Sequence, residues 1–113
     1  MYQPSRGQVW RVTLNPTKGH ETRGMRPCLI ITVDRFNHGP ADLIVVLPIT
    51  TREKGIPFHI QVSPPEGGLS ERSFIKCEEP RCISKQRLVE YMGDMASSTM
   101  EEVSDYVRIL LGL

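Results

Sequence analysis

The sequence predicts a mainly β fold with an α-helical tail: a small twisted barrel or sheet plus one helix. Three observations carry this. Short apolar runs of strand length recur between clusters of Gly, Pro, Asn and Ser. The first of them alternates apolar and polar residues at the two-residue period of a strand. Only the tail, from Thr99 onward, switches to helical spacing.

Residues 7–14 (GQVWRVTL) set Trp10, Val12 and Leu14 on one side and Val9, Arg11 and Thr13 on the other, the pattern of a half-buried strand. Asn15-Pro16-Thr17-Lys18-Gly19 breaks it, and a polar loop runs on to Gly24. Residues 27–33 are apolar enough for a strand buried on both faces. Residues 34–42, with Asn37, Gly39 and Pro40, read as a turn-rich connector. Residues 43–49 (LIVVLPI) form a third strand whose Pro48 lacks an N–H, so its end is expected at an edge or bulge. Further strands are expected at 57–62, 73–78 and 88–92, with a Pro/Gly loop at 63–68. Thr99-Met100-Glu101-Glu102 fits a capping box with Thr99 as the cap. Met100, Val103, Val107, Leu110 and Leu111 then trace one helical face. No repeat, linker or low-complexity stretch interrupts the chain, so residues 1–113 are expected to form a single domain.

Composition narrows the function. The 113 residues are 39% hydrophobic and 24% charged, and none of the apolar runs approaches the ~18 residues of a membrane helix. The first residues lack the apolar core of a secretory signal, so a cytoplasmic location is expected. Three cysteines, Cys28, Cys77 and Cys82, are an odd set and argue against a disulfide framework. Cys77 and Cys82 are loosely spaced, and His20, His38 and His59 are scattered singly. Neither a metal site nor a cofactor is expected. Net charge is +1, unevenly spread: residues 1–60 hold eight basic groups against four acids, residues 61–113 six against nine. Ten of the 14 basic residues are Arg, the side chain suited to bidentate phosphate recognition, which points to a confined anion site.

Three segments hold the chemistry. The loop at 16–26 places Lys18, Arg23 and Arg26 with His20 and Glu21 among glycines that permit close approach of a ligand. Thr50-Thr51-Arg52 follows the third strand, and Cys77-Glu78-Glu79-Pro80-Arg81 sets an Arg beside two acids. Each taken alone also fits exposed loop charges, turn hydroxyls or a surface ion pair.

Taken together, Arg6-Gly7-Gln8-Val9-Trp10, residues 15–21 (NPTKGHE), Gly24-Met25-Arg26-Pro27, Pro48-Ile49-Thr50-Thr51, Lys54-Gly55-Ile56-Pro57-Phe58 and residues 83–88 (ISKQRL) resemble the MazF/PemK-like toxins of toxin–antitoxin modules. The order and spacing of the blocks make the match specific. The resemblance implies an SH3-like, strongly twisted β-barrel with short helices, assembled as a homodimer. It implies sequence-specific cleavage of single-stranded RNA without a metal, leaving a 2′,3′-cyclic phosphate and a 5′-hydroxyl. It also implies a cognate MazE-like antitoxin, expected to be an acidic, partly disordered segment lying along the basic groove.

Arg26 falls on the family's catalytic Arg before Pro, Thr50 on its catalytic Thr, and Glu21 on an acidic loop position linked to activity. Arg81 matches an Arg near the groove, and Lys18, His20, Arg23, Thr51 and Arg52 complete the expected RNA contacts. His20 and Glu79 depart from the family pattern, which more often has a small hydroxyl residue and an amide there. Metal-free cleavage needs donors on the non-bridging oxygens, and a bidentate guanidinium with a hydroxyl supplies them. Because a guanidinium holds its proton at neutral pH, Arg26 is expected to stabilise charge rather than carry a proton. Glu21 is the candidate base, or else an acid that only orders its loop. Two other functions fit the same fold class: a CcdB-like toxin that binds DNA gyrase without catalysis, and an RNA-binding module that has lost activity. The tail Leu110-Leu111-Gly112-Leu113 lacks the aromatic residue near the gyrase-binding end, and the Arg26/Thr50 pair is present, so the nuclease reading leads.

Overall fold

A computed structural model describes residues 3–113. The chain runs β1 (Gln8–Thr13), β2 (Met25–Ile30), α1 (Asp34–Asn37), β3 (Leu43–Thr50), β4 (His59–Val62), β5 (Ser73–Lys76), β6 (Arg81–Ser84), β7 (Leu88–Asp94) and α2 (Ser97–Leu111). Short 3₁₀ turns lie at Glu66–Gly68 and Lys85–Arg87. Every strand pairing is antiparallel, in the order β4-β5-β3-β2-β1-β7, with β6 added to β3. The end strands β4 and β7 do not pair, so the sheet stays open rather than closing into a barrel. No helix among the described residues is long and apolar enough to cross a membrane.

β3 organises the sheet because it changes partners along its length. Residues 43–46 pair with β6, residues 46–48 with β2, and Ile49 and Thr50 with β5. Pro48 therefore lies inside a central strand, not at a sheet edge. It stands where one ladder passes from β6 to β5, a position that tolerates a missing N–H.

Each face of the sheet carries its own core. Trp10, Val12, Leu14, Cys28, Ile30, Ile44, Val46 and Ile83 pack on one face. Val9, Leu29, Leu47, Ile49, Ile60, Ile75 and Val103 of α2 pack on the other. β1 is thus covered on both sides at its start: Val9, expected to face outward, is fully buried under the helix layer. β2 matches the expected two-sided burial through Ile30, whereas Val33 lies beyond it and is exposed. The connector at 34–42 contains a helical turn that the Gly/Pro pattern concealed. Its Asn37 is fully buried and donates to the Thr32 carbonyl at 2.7 Å, while Lys85 Nζ donates to the Asn37 carbonyl at 2.6 Å. β6 was also absent from the pattern, since Arg81-Cys82-Ile83-Ser84 is too short and polar to signal a strand.

The helix start differs from the capping-box expectation. α2 begins at Ser97 after Ala96, whose own side chain makes no cap. The Glu66 carboxylate, from the 3₁₀ turn, accepts the Ala96 N–H at 2.9 Å and the Thr99 hydroxyl at 2.6 Å through Oε2. A distant acid thus satisfies a helix end that the local box was expected to serve, and it also complements the helix dipole. Glu66→Ala should lower stability by ~1–2 kcal/mol in urea unfolding, and Glu102→Ala by less than ~0.5 kcal/mol. The reverse ranking would restore the local box. Of the expected apolar face, Val103 is buried and Met100 and Val107 pack against the core, but Leu110 and Leu111 stay exposed.

Candidate active site

β2 and β3 bring two of the three chemical segments together. Across these strands Cys28 faces Pro48, Leu29 faces Leu47 and Ile30 faces Val46. Continued by two residues, the same register sets Arg26 opposite Thr50, so both side chains leave one face of the sheet. Thr50 in turn faces Phe74, and Phe74 faces Gln61. Arg26, Thr50, Phe74 and Gln61 form a row across four strands at the end of the Trp10 core.

Arg26, Thr50, Thr51, Arg52 and Ser73 line a cleft of about 320 Å³, with Pro27 and Ile49 as apolar wall. The Arg52 N–H donates to Thr50 Oγ1 at 3.2 Å, which leaves the hydroxyl's own proton for a ligand. Arg26 Nη1 donates to the Met25 carbonyl at 3.0 Å. No carboxylate among the described residues forms an ion pair with Arg26 or Arg52. Two guanidinium groups beside the Thr50 and Thr51 hydroxyls make a receptor for an anion with several oxygens, whereas the Ser73 hydroxyl spends its proton on the Glu71 carbonyl at 2.9 Å. Gly24, at φ +83°, turns the chain into β2 just before Arg26, and its N–H donates to Asn15 Oδ1 at 3.1 Å. A side chain there would strain the backbone two residues from the guanidinium.

The β1–β2 loop holds the remaining candidates elsewhere. Lys18, His20, Glu21 and Arg23 are exposed, and none of them lines the cleft. Glu21 Oε1 accepts the Lys18 N–H at 2.7 Å, closing a four-residue turn within the loop. Arg81 lies beneath that loop rather than in the cleft. Its Nη1 donates to the Thr22 carbonyl and its Nη2 to the Leu14 carbonyl, both at 3.1 Å.

Sequence reasoning did not single out Thr22, Lys76 or Arg87, or the pairing of Glu79 with the first two. Lys76 and Glu79 form a 3.1 Å ion pair at i,i+3, both largely buried, and Thr22 binds both. Burial pushes the Glu79 carboxyl up, but the bonds from Thr22 and Lys76 outweigh it and hold the group below the usual carboxylate range. Arg87 Nη1 donates to the carbonyls of Thr13 and Asn15 at the base of the loop. The opposite charges at 76 and 79 were the only available signal, and a threonine in a polar loop offers none. His59 is a further buried group, with Nε2 2.8 Å from Glu78 and Nδ1 without a partner. Burial pushes the Cys28 thiol up to about 12, so it remains an unreactive core thiol.

An open antiparallel sheet with a helix layer on one face and a basic, hydroxyl-lined cleft at the end of the other defines a small β protein whose cleft has the chemistry to receive an anion. Residues 5–111 match the family described as the PemK-like, MazF-like toxin of type II toxin–antitoxin systems, and the chain belongs to that family. The chain is 31% identical to Endoribonuclease MazF of Staphylococcus saprophyticus over 109 residues, covering 96% of this chain and 91% of that one. It is similar to the crystal structure of MazF from Deinococcus radiodurans, with a TM-score of 0.89, 25% identity and full coverage of both chains. It also resembles an endoribonuclease from a mycobacterial species solved in complex with its cognate antitoxin. That TM-score is 0.79, at 25% identity, covering 100% of this chain and 97% of the other.

Proposed function

We propose that this chain is the endoribonuclease toxin of a type II toxin–antitoxin system, cutting single-stranded RNA at a short sequence without a metal. The observation that supports the reading is that Arg26, Thr50 and Arg52 line one cleft. In the reaction the 2′-oxygen forms a bond to phosphorus and the bond from phosphorus to the 5′-oxygen breaks. The products are a 2′,3′-cyclic phosphate and a 5′-hydroxyl, the leaving 5′-oxygen taking its proton from water. Arg26 offers two parallel N–H donors to the non-bridging oxygens as negative charge grows on them, and Thr50 donates its hydroxyl proton to the same oxygens. Thr51 and Arg52 bind the adjoining phosphate.

Glu21 is the proposed base for the 2′-hydroxyl, reached when its bond to the Lys18 N–H opens and its side chain turns toward the substrate. Lys18, His20 and Arg23 contact the substrate from that loop, and Arg81 supports the loop from below. The gyrase-binding alternative is not favoured, since the relatives are named endoribonucleases.

A MazE-like antitoxin partner follows from the complexed relatives, its acidic segment covering Arg26 and Arg52 in competition with RNA. A homodimer follows from the tail of α2, where Ile109, Leu111 and Leu113 are 62, 57 and 85% exposed. Within the proposal the chain is a single domain that acts in the cytoplasm.

Purified protein incubated with a long single-stranded RNA in EDTA should give discrete fragments with cyclic-phosphate ends, and should scatter light as a dimer at micromolar concentration. Intact RNA across diverse sequences would refute the nuclease, and a stable monomer would refute the interface.

A further inference from the structure

Thr22 stands between Glu21 and Arg23, and every polar atom it has is taken by the segment joining β5 to β6. Its N–H donates to Glu79 Oε2 at 2.8 Å and its hydroxyl to Glu79 Oε1 at 2.9 Å. Lys76 Nζ donates to the same hydroxyl at 2.7 Å, and Arg81 Nη1 to the Thr22 carbonyl at 3.1 Å. The Lys76 and Glu79 side chains are only 8 and 18% exposed, so these bonds are shielded from water and stronger than surface equivalents.

The rest of the loop is held differently. Its base is tied by Leu14 N–H to the Gly24 carbonyl and by Arg87 to the Thr13 carbonyl, whereas its tip has the internal Lys18–Glu21 turn. Thr22 is thus where the arm of the loop is bolted to the sheet beyond its base.

We infer that Lys76, Glu79 and Arg81 form a clamp on Thr22 that positions the β1–β2 loop for RNA, acting as positioning residues that need not touch the substrate. The role in RNA binding rests on the nuclease reading, while the clamp itself does not. Physically, a loop of this length left free would order only on binding, and that entropy would weaken affinity. A preset Thr22 fixes where the Glu21 and Arg23 side chains originate. The clamp also accounts for an acid at position 79: a carboxylate accepts the N–H and O–H of Thr22 together, and Lys76 balances its charge.

The test compares Thr22→Val, which removes only the hydroxyl, with Thr22→Ser, which keeps it. In Thr22→Val, amide hydrogen exchange at residues 17–23 should quicken at least ~10-fold while the strands stay protected. Binding of an uncleavable 2′-O-methyl RNA should weaken about 10-fold. Thr22→Ser should behave as wild type in both assays. Glu79→Gln, which spoils the match to Lys76, is the second variant and should reproduce both effects.

Unchanged exchange in Thr22→Val and Glu79→Gln overturns the clamp. Faster exchange with unaltered RNA affinity overturns its positioning role. A wild type that neither binds nor cuts RNA refutes the nuclease reading, and the exchange arm still decides the clamp.

Discussion

Arg26→Ala should lower the single-turnover rate of RNA cleavage by ~10²–10³-fold, with the protein still folded. Arg26 is exposed at the start of β2 and none of the described residues forms an ion pair with it, so removing its guanidinium leaves the core intact. On the proposed mechanism, what is lost is a bidentate donor to the phosphate oxygens, in a cleft whose other guanidinium is Arg52. Arg26→Lys keeps the charge but not the fork, and should recover only part of the rate. Thr50→Val should cost ~10²-fold while Thr50→Ser retains activity, because the hydroxyl, already accepting the Arg52 N–H, supplies the second donor. A rate for Arg26→Ala within ~5-fold of wild type would remove the residue from the chemistry.

Gly68→Ala should have the largest effect on stability, more than ~4 kcal/mol, a large part of the ~5–15 kcal/mol that holds such a domain together. A Cβ at Gly68 would lie 2.0 Å from the Met92 carbonyl oxygen and 2.5 Å from its carbon, both backbone atoms in β7. A Cβ at Gly93 would in turn lie 2.6 Å from the Gly68 backbone nitrogen, so the two glycines face each other across a gap too small for either side chain. Forcing them apart lifts the 3₁₀ turn from β7, withdraws the Glu66 cap from α2 and uncovers Leu69. The positive φ of +69° adds to the strain. Gly55→Ala separates the two terms: its φ is +68° but nothing lies within 4 Å of the added Cβ, so it should cost only ~1–2 kcal/mol. Urea unfolding of both variants checks the pair, and near-equal losses would mean that strain, not contact, dominates.

Much of the sheet is legible because strands announce themselves by period and by apolar runs. Val12 and Leu14 face one core with Trp10, as the alternation requires, and the runs that became β2 and β3 are fully apolar where the sheet buries both their faces. Reading fails where the deciding partner is remote. The start of α2 is set by Glu66, some thirty residues away, so a capping box seen within the helix itself misplaced it. Likewise β6 exists because β3 offers it an open edge, and α1 because Asn37 finds the Thr32 carbonyl.

The site divides in the same way. Arg26, Thr50 and Arg52 were nameable from their blocks of sequence, and so was the match to a toxin family, because residue types and their order survive without coordinates. That Arg26 stands across from Thr50 depends on the register Cys28 to Pro48, which no local pattern encodes. Arg81 and Glu21 show the converse. Both look like cleft residues in the sequence, yet the structure binds Arg81 to two loop carbonyls and Glu21 to the Lys18 N–H. The sequence by itself determined the class of fold, the basic character of the site and the chemical types in it, since these follow from composition and period. Only the tertiary structure decided which charges are free to meet an anion and which are spent holding a loop, because hydrogen-bond partners are chosen by distance in space and not along the chain.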